Sequence, residues 1–294
     1  MVYGLPAIAS ALGSMTIANV NVLDGQGWVV DDQRIATPGY KEAKYNEAQK
    51  AIKNVIEFLN INTNDQKLEI IFTGDLIAAS GVGASAAQCT SLARALNEEF
   101  NLNLDDGKIN EAAYAGEMAY HGTPSGIDNT ASTYGGLIWF IKNLIGGKNT
   151  IDRLKARAKM FLVIADTGIT ASTAEVVADV RNLKEQNPDK YKAIFAEYKD
   201  LAKNAKKALI RGKTSLVGKL MIQNQKLLQL MTVSGEFNDN IVEIALNNGA
   251  LGAKVTGTGR GGLVIALVSD ENSQKKVSQA IEKEGFTIWN TTIG

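Results

Sequence analysis

The chain has one cysteine, Cys89, and one histidine, His121, in 294 residues. A single thiol excludes an intrachain disulfide and a cysteine-built zinc site, and it suits a reducing compartment. A single imidazole excludes multi-His metal sites and leaves one candidate base for any Ser-His-Asp mechanism. Net charge is also lacking, with 31 Lys and Arg against 31 Asp and Glu. There is thus no electrostatic case for nucleic acid or an anionic membrane. No apolar run approaches the ~18 residues of a membrane span. The opening "LPAIASALGSMTIANV" comes nearest to a signal-peptide core. No basic residue precedes it and polar residues interrupt it, so it reads as a core strand.

What is present is an ordinary soluble composition, 45% hydrophobic and 21% charged. The length suits one large domain or two smaller ones, with a core that needs no staples. Residues 41–59 place Tyr45, Ala48, Ile52, Val55, Ile56 and Leu59 on one helical face. "LEIIFTG" (68–74), "GGLIWFIKN" (135–143) and "MFLVIADTG" (160–168) read as strands. "GGKNTIDRLKARAK" between the last two combines Gly and charge without periodicity, and is the expected domain junction. The second half is helix-rich. Tyr191, Ile194, Tyr198, Leu201, Ala205 and Leu209 form one stripe, and Leu216, Leu220, Leu227, Leu228 and Met231 another. A helix ending at Gly249, the strand "GGLVIALVS", a further helix and a closing strand "FTIWN" complete the chain. Strands and helices mix without strict βαβ alternation, which predicts an α+β fold.

Three stretches carry chemistry. "SGVGASAAQC" (80–89) is a run of tiny residues between a strand and a helix. Such a loop bares consecutive backbone N–H groups at a helix N-terminus, an anion cradle. Ser85 adds a hydroxyl for phosphate or metal. A tight turn where a helix packs close to a sheet would use the same residues. No Lys-Ser/Thr pair follows, so the Walker pattern is absent. "KVTGTGRGGLVIAL" (254–267) is a second bare loop leading into a strand. In "EMAYHGTPSGIDN" (117–129), Glu117 lies on a helical segment and Asp128 beyond a turn-rich "GTPSG". One carboxylate can orient or deprotonate a substrate hydroxyl and the other can hold Mg²⁺. A helix-capping Asp and a solvated Glu are the plainer alternatives. His121 reads as a structural hydrogen-bonding residue of the turn.

Together the three stretches resemble the GHMP small-molecule kinases, and within them the branch that acts on mevalonate. "GVGASAA" is similar to that family's phosphate loop, "HGTPSGIDN" to its substrate-side motif and "GALGAKVTGTGRGG" to its third motif. "ADTGITAST" and "NQKLL" also sit where members have similar segments, so the resemblance runs in order along the whole chain. It implies a two-domain fold, with a ribosomal-protein-S5-like domain over 1–155 and a ferredoxin-like, helix-rich domain over 156–294. It implies ATP and Mg²⁺ as cofactors and transfer of phosphate to the 5-hydroxyl of mevalonate in isoprenoid biosynthesis. A kinase of another small alcohol, or a catalytically impaired relative that binds nucleotide or metabolite, is the alternative. By the resemblance Gly81, Val82, Gly83, Ala84 and Ser85 wrap the phosphates, and Ser85 and Glu117 lie at Mg²⁺. Asp128 acts on the substrate hydroxyl, Thr173 sits near that acid, and Gly257 and Gly259 line the substrate and phosphate side. A cytoplasmic setting is expected, with an organelle and a homodimer left open, and neither nucleic acid nor membrane as partner.

Three departures stand out. Members open with a strand bearing a catalytic-site Lys and a Glu-His pair, then an Ala-Val-Val-Tyr-Gly segment. This sequence starts inside that second segment, at "MVYGLPAIA", so weak turnover by the chain as written is expected. Ala84 stands where the family loop has Ser, which keeps the backbone N–H. Arg260 stands within the third Gly-rich loop, reaching either a phosphate or water, with water favoured. A side chain there demands φ < 0 or tolerated strain.

Overall fold

The computed structural model describes every residue except Thr37, Ala79, Ser80 and Thr170. Strand β1 (Ala7–Ser10) opens the chain. There follow β2 (Thr16–Leu23), β3 (Gly27–Asp32), α1 (Tyr40–Ala43), α2 (Tyr45–Phe58), β4 (Lys67–Gly74), α3 (Ala84–Glu99), α4 (Asp106–His121) and α5 (Ile127–Tyr134). After Gly136 come β5 (Leu137–Ile141), β6 (Thr150–Leu154), β7 (Met160–Asp166), α6 (Thr173–Gln186), α7 (Pro188–Ile210), α8 (Thr214–Leu230) and α9 (Glu236–Asn247). The chain closes with β8 (Gly252–Thr256), β9 (Leu263–Val268), α10 (Glu271–Lys283) and β10 (Thr287–Ile293). These elements form two compact units. One is Ser14–Gly135; the other joins Met1–Gly13 to Gly136–Gly294. The hairpin β5–β6 belongs with the second half because β1 pairs antiparallel with β5, and Leu137 and Leu154 pack in the cluster that holds Met160.

In the unit Ser14–Gly135, β4 is the centre of a three-stranded sheet, antiparallel to β2 and parallel to β3. Alternation along β4 puts Leu68, Ile70 and Phe72 on one face, all fully buried. Against that face pack Ile52, Val55 and Ile56 of α2, Leu92 and Leu96 of α3, and Ile109 and Ala112 of α4. The expected helix over 41–59 is broken at Lys44, which caps the end of α1 at φ −107°. Tyr45 therefore falls outside the buried stripe and is 61% exposed.

The other unit carries a four-stranded antiparallel sheet in the order β10-β7-β9-β8. One face buries Val163, Val255 and Val264 with Ile241 and Val242 of α9 and Val277 and Ile281 of α10. A second cluster joins Leu162 and Leu267 to Leu201 and Leu209 of α7 and Leu220 and Leu227 of α8. Leu216, expected on the α8 stripe, is 46% exposed. The stretch expected as the domain junction, where no periodicity is read, contains β6, paired with β5 from Leu137↔Leu154 to Ile141↔Thr150. It is an edge strand with Asp152 and Arg153 exposed, so it lacks the apolar run that announces a strand.

The position that places the site is Gly116. A Cβ there would lie 2.6 Å from Cys89 Sγ and 2.9 Å from Val55 Cγ2, so α4 passes close to both α3 and α2. Overpacking of this kind costs about 1–3 kcal/mol. Gly116→Ala is expected to lower stability to urea by that amount, and Cys89→Ala in the same background to recover part of it. Additive losses in the double variant would contradict the contact.

Candidate active site

The first bare loop turns through Gly81 and Gly83, with φ of +94° and +72°. Glycine takes such angles at no steric cost. Gly83 is the N-cap of α3, and no side chain caps that end. A Cβ on Gly83 would meet nothing within 4 Å, so the residue serves its backbone angle and the space around it is open. The bond from the Ala87 N–H to the Gly83 carbonyl closes the first turn. The amides of Ala84, Ser85 and Ala86 precede it, the arrangement that favours an anion.

Close passage of α4 brings Glu117 to this end of α3. Glu117 is 2% exposed, which excludes a solvated Glu. Its carboxylate accepts from the Ser85 hydroxyl. Its Oε1 has no hydrogen-bond partner among the described residues. Burial pushes its pKa up to about 7; the Ser85 bond works against this and the nearby charge of Asp128 adds to it. Asp128 is not a helix cap: Gly126, at φ +87°, holds that position and Asp128 is the second residue of α5. Its neighbours Ile127, Asn129 and Thr130 are all buried, and Asn129 Nδ2 donates to Asn110 Oδ1 of α4 at 2.6 Å. The Asp128 carboxyl reaches solvent but is ringed by protein. That desolvation raises its pKa, against a smaller pull from His121. His121 closes α4 with its Nε2 3.6 Å from Glu117 Oε2, beyond hydrogen-bonding range. Desolvation favours its neutral form, with Asp128 opposing and Lys44 adding. It is thus a neighbour of both acids rather than the turn's hydrogen-bonding side chain.

Behind the loop lies a group that sequence reading missed. Arg34, 5% exposed, donates through Nε and Nη2 to both oxygens of Asp32, at 2.9 and 2.7 Å. Its Nη2 also donates to Gln88 Oε1 of α3 at 3.0 Å, and that oxygen accepts from Tyr120 OH of α4 at 3.1 Å. Burial resists ionisation of Asp32, but the bonds and charge of Arg34 outweigh it and hold the carboxyl below its usual range. One chain of polar contacts therefore ties β3, α3 and α4 together. The nearest signal in sequence is an Arg two residues after an Asp; its partner Gln88 lies 54 residues on.

In the other unit, Thr173 opens α6 and its Oγ1 lies 2.8 Å from Thr258 Oγ1 in the second bare loop. Gly257 and Gly259 sit at φ +77° and +83°. A Cβ on Gly259 would meet the Val233 carbonyl oxygen at 2.3 Å, so backbone packs on backbone there. The expectation that Arg260 points to water is corrected: protein groups hold it. Its Nε donates to the Thr232 carbonyl at 2.9 Å, Nη2 to Thr232 Oγ1 at 3.1 Å, and Nη1 to the Asp179 carboxylate of α6. Its φ is +52°, so the strain foreseen for a side chain there is real and is offset by these bonds.

Two family models match in order: the GHMP kinases N terminal domain over residues 46–136 and the GHMP kinases C terminal over 205–287. The chain belongs to the GHMP kinases. Among relatives of this kinase, the mevalonate kinase of Pyrococcus furiosus is 30% identical over all of this chain and 91% of its own. The crystal structure of L. major mevalonate kinase in complex with R-mevalonate is 38% identical with a TM-score of 0.94, covering 99% of this chain and 90% of that one. The Methanococcus jannaschii mevalonate kinase structure is 25% identical with a TM-score of 0.81, covering 100% and 93%.

Burial of Glu117 sets a pH dependence for this GHMP kinase. Folding raises its carboxyl from an ordinary 4.5 to about 7. The folded state therefore keeps a proton that the unfolded chain loses, and stability falls as pH rises from 4.5 to 7, by roughly 3 kcal/mol in all. Glu117→Gln holds the neutral shape throughout. It is expected to melt several degrees above wild type at pH 8 and level with it near pH 4.5. Equal melting temperatures at pH 8 would contradict the burial cost.

Proposed function

We propose that this GHMP kinase transfers the γ-phosphoryl group of ATP to the 5-hydroxyl of mevalonate, giving 5-phosphomevalonate for isoprenoid biosynthesis. The observation that carries the reading is the group Ser85–Glu117–Asp128 at the uncapped end of α3, in a chain 38% identical to a protein crystallised with R-mevalonate. The reaction needs charge neutralisation and positioning more than covalent chemistry. The amides of the loop Gly81–Ser85 would cradle the phosphates. The unpartnered, buried Glu117 Oε1 and the Ser85 hydroxyl are hard oxygen donors of the kind Mg²⁺ takes alongside water and phosphate oxygens. Among the described residues no three His, Cys, Asp or Glu gather to hold a metal ion by themselves, so phosphate and water would have to complete the ion's shell. When bound, the ion would supply positive charge to the phosphates.

Asp128 would take the proton from the mevalonate 5-hydroxyl as that oxygen bonds to the γ-phosphorus and ADP departs. Desolvation raises its carboxyl and so its basicity, which suits a proton acceptor. Thr173, Gly257 and Gly259 would face the substrate. No helix among the described residues is long and apolar enough to cross a membrane, and the reading sets the enzyme in the cytoplasm with a small soluble substrate.

Phosphorus NMR on the purified chain with Mg·ATP is expected to show one new phosphomonoester with R-mevalonate, no phosphomonoester with galactose, and no diphosphate product with phosphomevalonate. Preference for another alcohol would overturn the substrate. Asp128→Asn is expected to lower kcat by about 10²–10⁴ and to leave ATP affinity within a few-fold. Retention of most of kcat would remove Asp128 from the chemistry. Glu117→Gln is expected to raise the Mg²⁺ needed for half-maximal rate more than the KM for mevalonate; an unchanged Mg²⁺ titration would take it out of the metal's reach.

A further inference from the structure

We propose that Arg260 and Asp179 form a positioning pair that fixes the amino-terminal turns of α6, and with them the Thr173 hydroxyl, against the loop 257–262. The proposal rests on the reading that Thr173 faces the substrate. The loop is a poor place for a side chain. Gly257, Gly259, Gly261 and Gly262 all have positive φ, at +77°, +83°, +133° and +62°, and Arg260 sits among them at +52°. Glycine would fit that angle without strain. Arginine stands there and uses three donor groups, on Thr232 and on Asp179.

Two contacts join this loop to α6, and their spacing matters. Thr258 meets Thr173 in the first turn, and Arg260 meets Asp179 six residues further on. At about 1.5 Å per residue those points are roughly 9 Å apart along the helix axis. One hydroxyl pair leaves a helix free to pivot; two attachments that far apart set the direction of its axis. The core does little of this work, since α6 buries only Val176 and Val180.

The shape of the loop itself has other supports. Asn238, fully buried, accepts from the Gly261 N–H and donates to the Gly261 carbonyl, each at 2.9 Å. The Gly262 N–H donates to the Ile169 carbonyl at 2.7 Å, and the Arg260 N–H to the Val233 carbonyl at 2.7 Å. Losing the Arg260 side chain therefore frees the helix and spares the loop. It also relieves a left-handed residue, so stability and activity should part company.

The test compares Arg260→Gly, Asp179→Ala, the double variant and Thr173→Ala with wild type. The readouts are melting temperature, steady-state kinetics and amide hydrogen exchange. Arg260→Gly is expected to melt at or above the wild-type temperature. Its amides over 174–180 should exchange faster while those over 257–262 do not. kcat/KM for mevalonate should fall about tenfold with KM for ATP within twofold. The double variant should lose no more than either single one, and Arg260→Lys should restore part of the rate. Unchanged exchange over 174–180 would overturn the tie. Faster exchange with unchanged kcat/KM, or losses that simply add, would overturn its role in positioning. A Thr173→Ala variant with full activity would instead overturn the substrate-side reading of Thr173.

Discussion

A carboxylate buried without a cation governs the arrangement around α3. Removing a charge from water is expensive unless it is paired. Glu117 has one hydroxyl donor, Ser85, and an Oε1 with no partner among the described residues. The fold meets this cost by raising the carboxyl's pKa to about 7, so that near pH 7 it is protonated about half of the time instead of fully ionised. That solution depends on α4 approaching α3 closely, which Gly116 permits and an added Cβ would oppose. It depends equally on α3 being held from behind, where Arg34 grips Asp32 and Gln88 while Tyr120 shares the same acceptor. The result is a hydroxyl, an orphaned acid oxygen and a run of helix-end amides gathered at one place, which suits a cation and its phosphates together.

The loop 257–262 is built by the opposite means. No buried charge organises it; backbone meets backbone at Gly259 and Gly261, where an added Cβ would fall 2.3 and 2.5 Å from carbonyl oxygens. Asn238 reads the Gly261 peptide from both sides. Rigidity here comes from close approach and neutral hydrogen bonds, with Arg260 as the one ionic outpost.

Much of this was legible in the sequence where a periodic pattern or a compositional extreme carried it. The alternation Leu68, Ile70, Phe72 announced β4, and the run of Gly and Ala at 81–87 announced an exposed helix start. The acids Glu117 and Asp128 stood out beside a turn-rich segment. Features that rest on partners distant in sequence were not legible. Nothing in "DDQRIA" tells that Arg34 is buried, because its acceptor Gln88 arrives from another element. Nothing at Arg260 points to Asp179, 81 residues away. The strand β6 escaped because an exposed edge strand needs few apolar residues. The burial of Glu117 was likewise hidden: a Glu on a helix reads as solvated until the helix crossing at Gly116 is known.

The most direct test is the titration of Glu117 itself in the ligand-free protein. Carboxyl infrared difference spectra between wild type and Glu117→Gln, followed from pH 4 to 9, isolate that one group. A midpoint near 7 is expected, as burial without a counter-charge requires. A midpoint at the ordinary carboxyl value of 4.5 would contradict it, and would mean that water or a protein cation already compensates this acid.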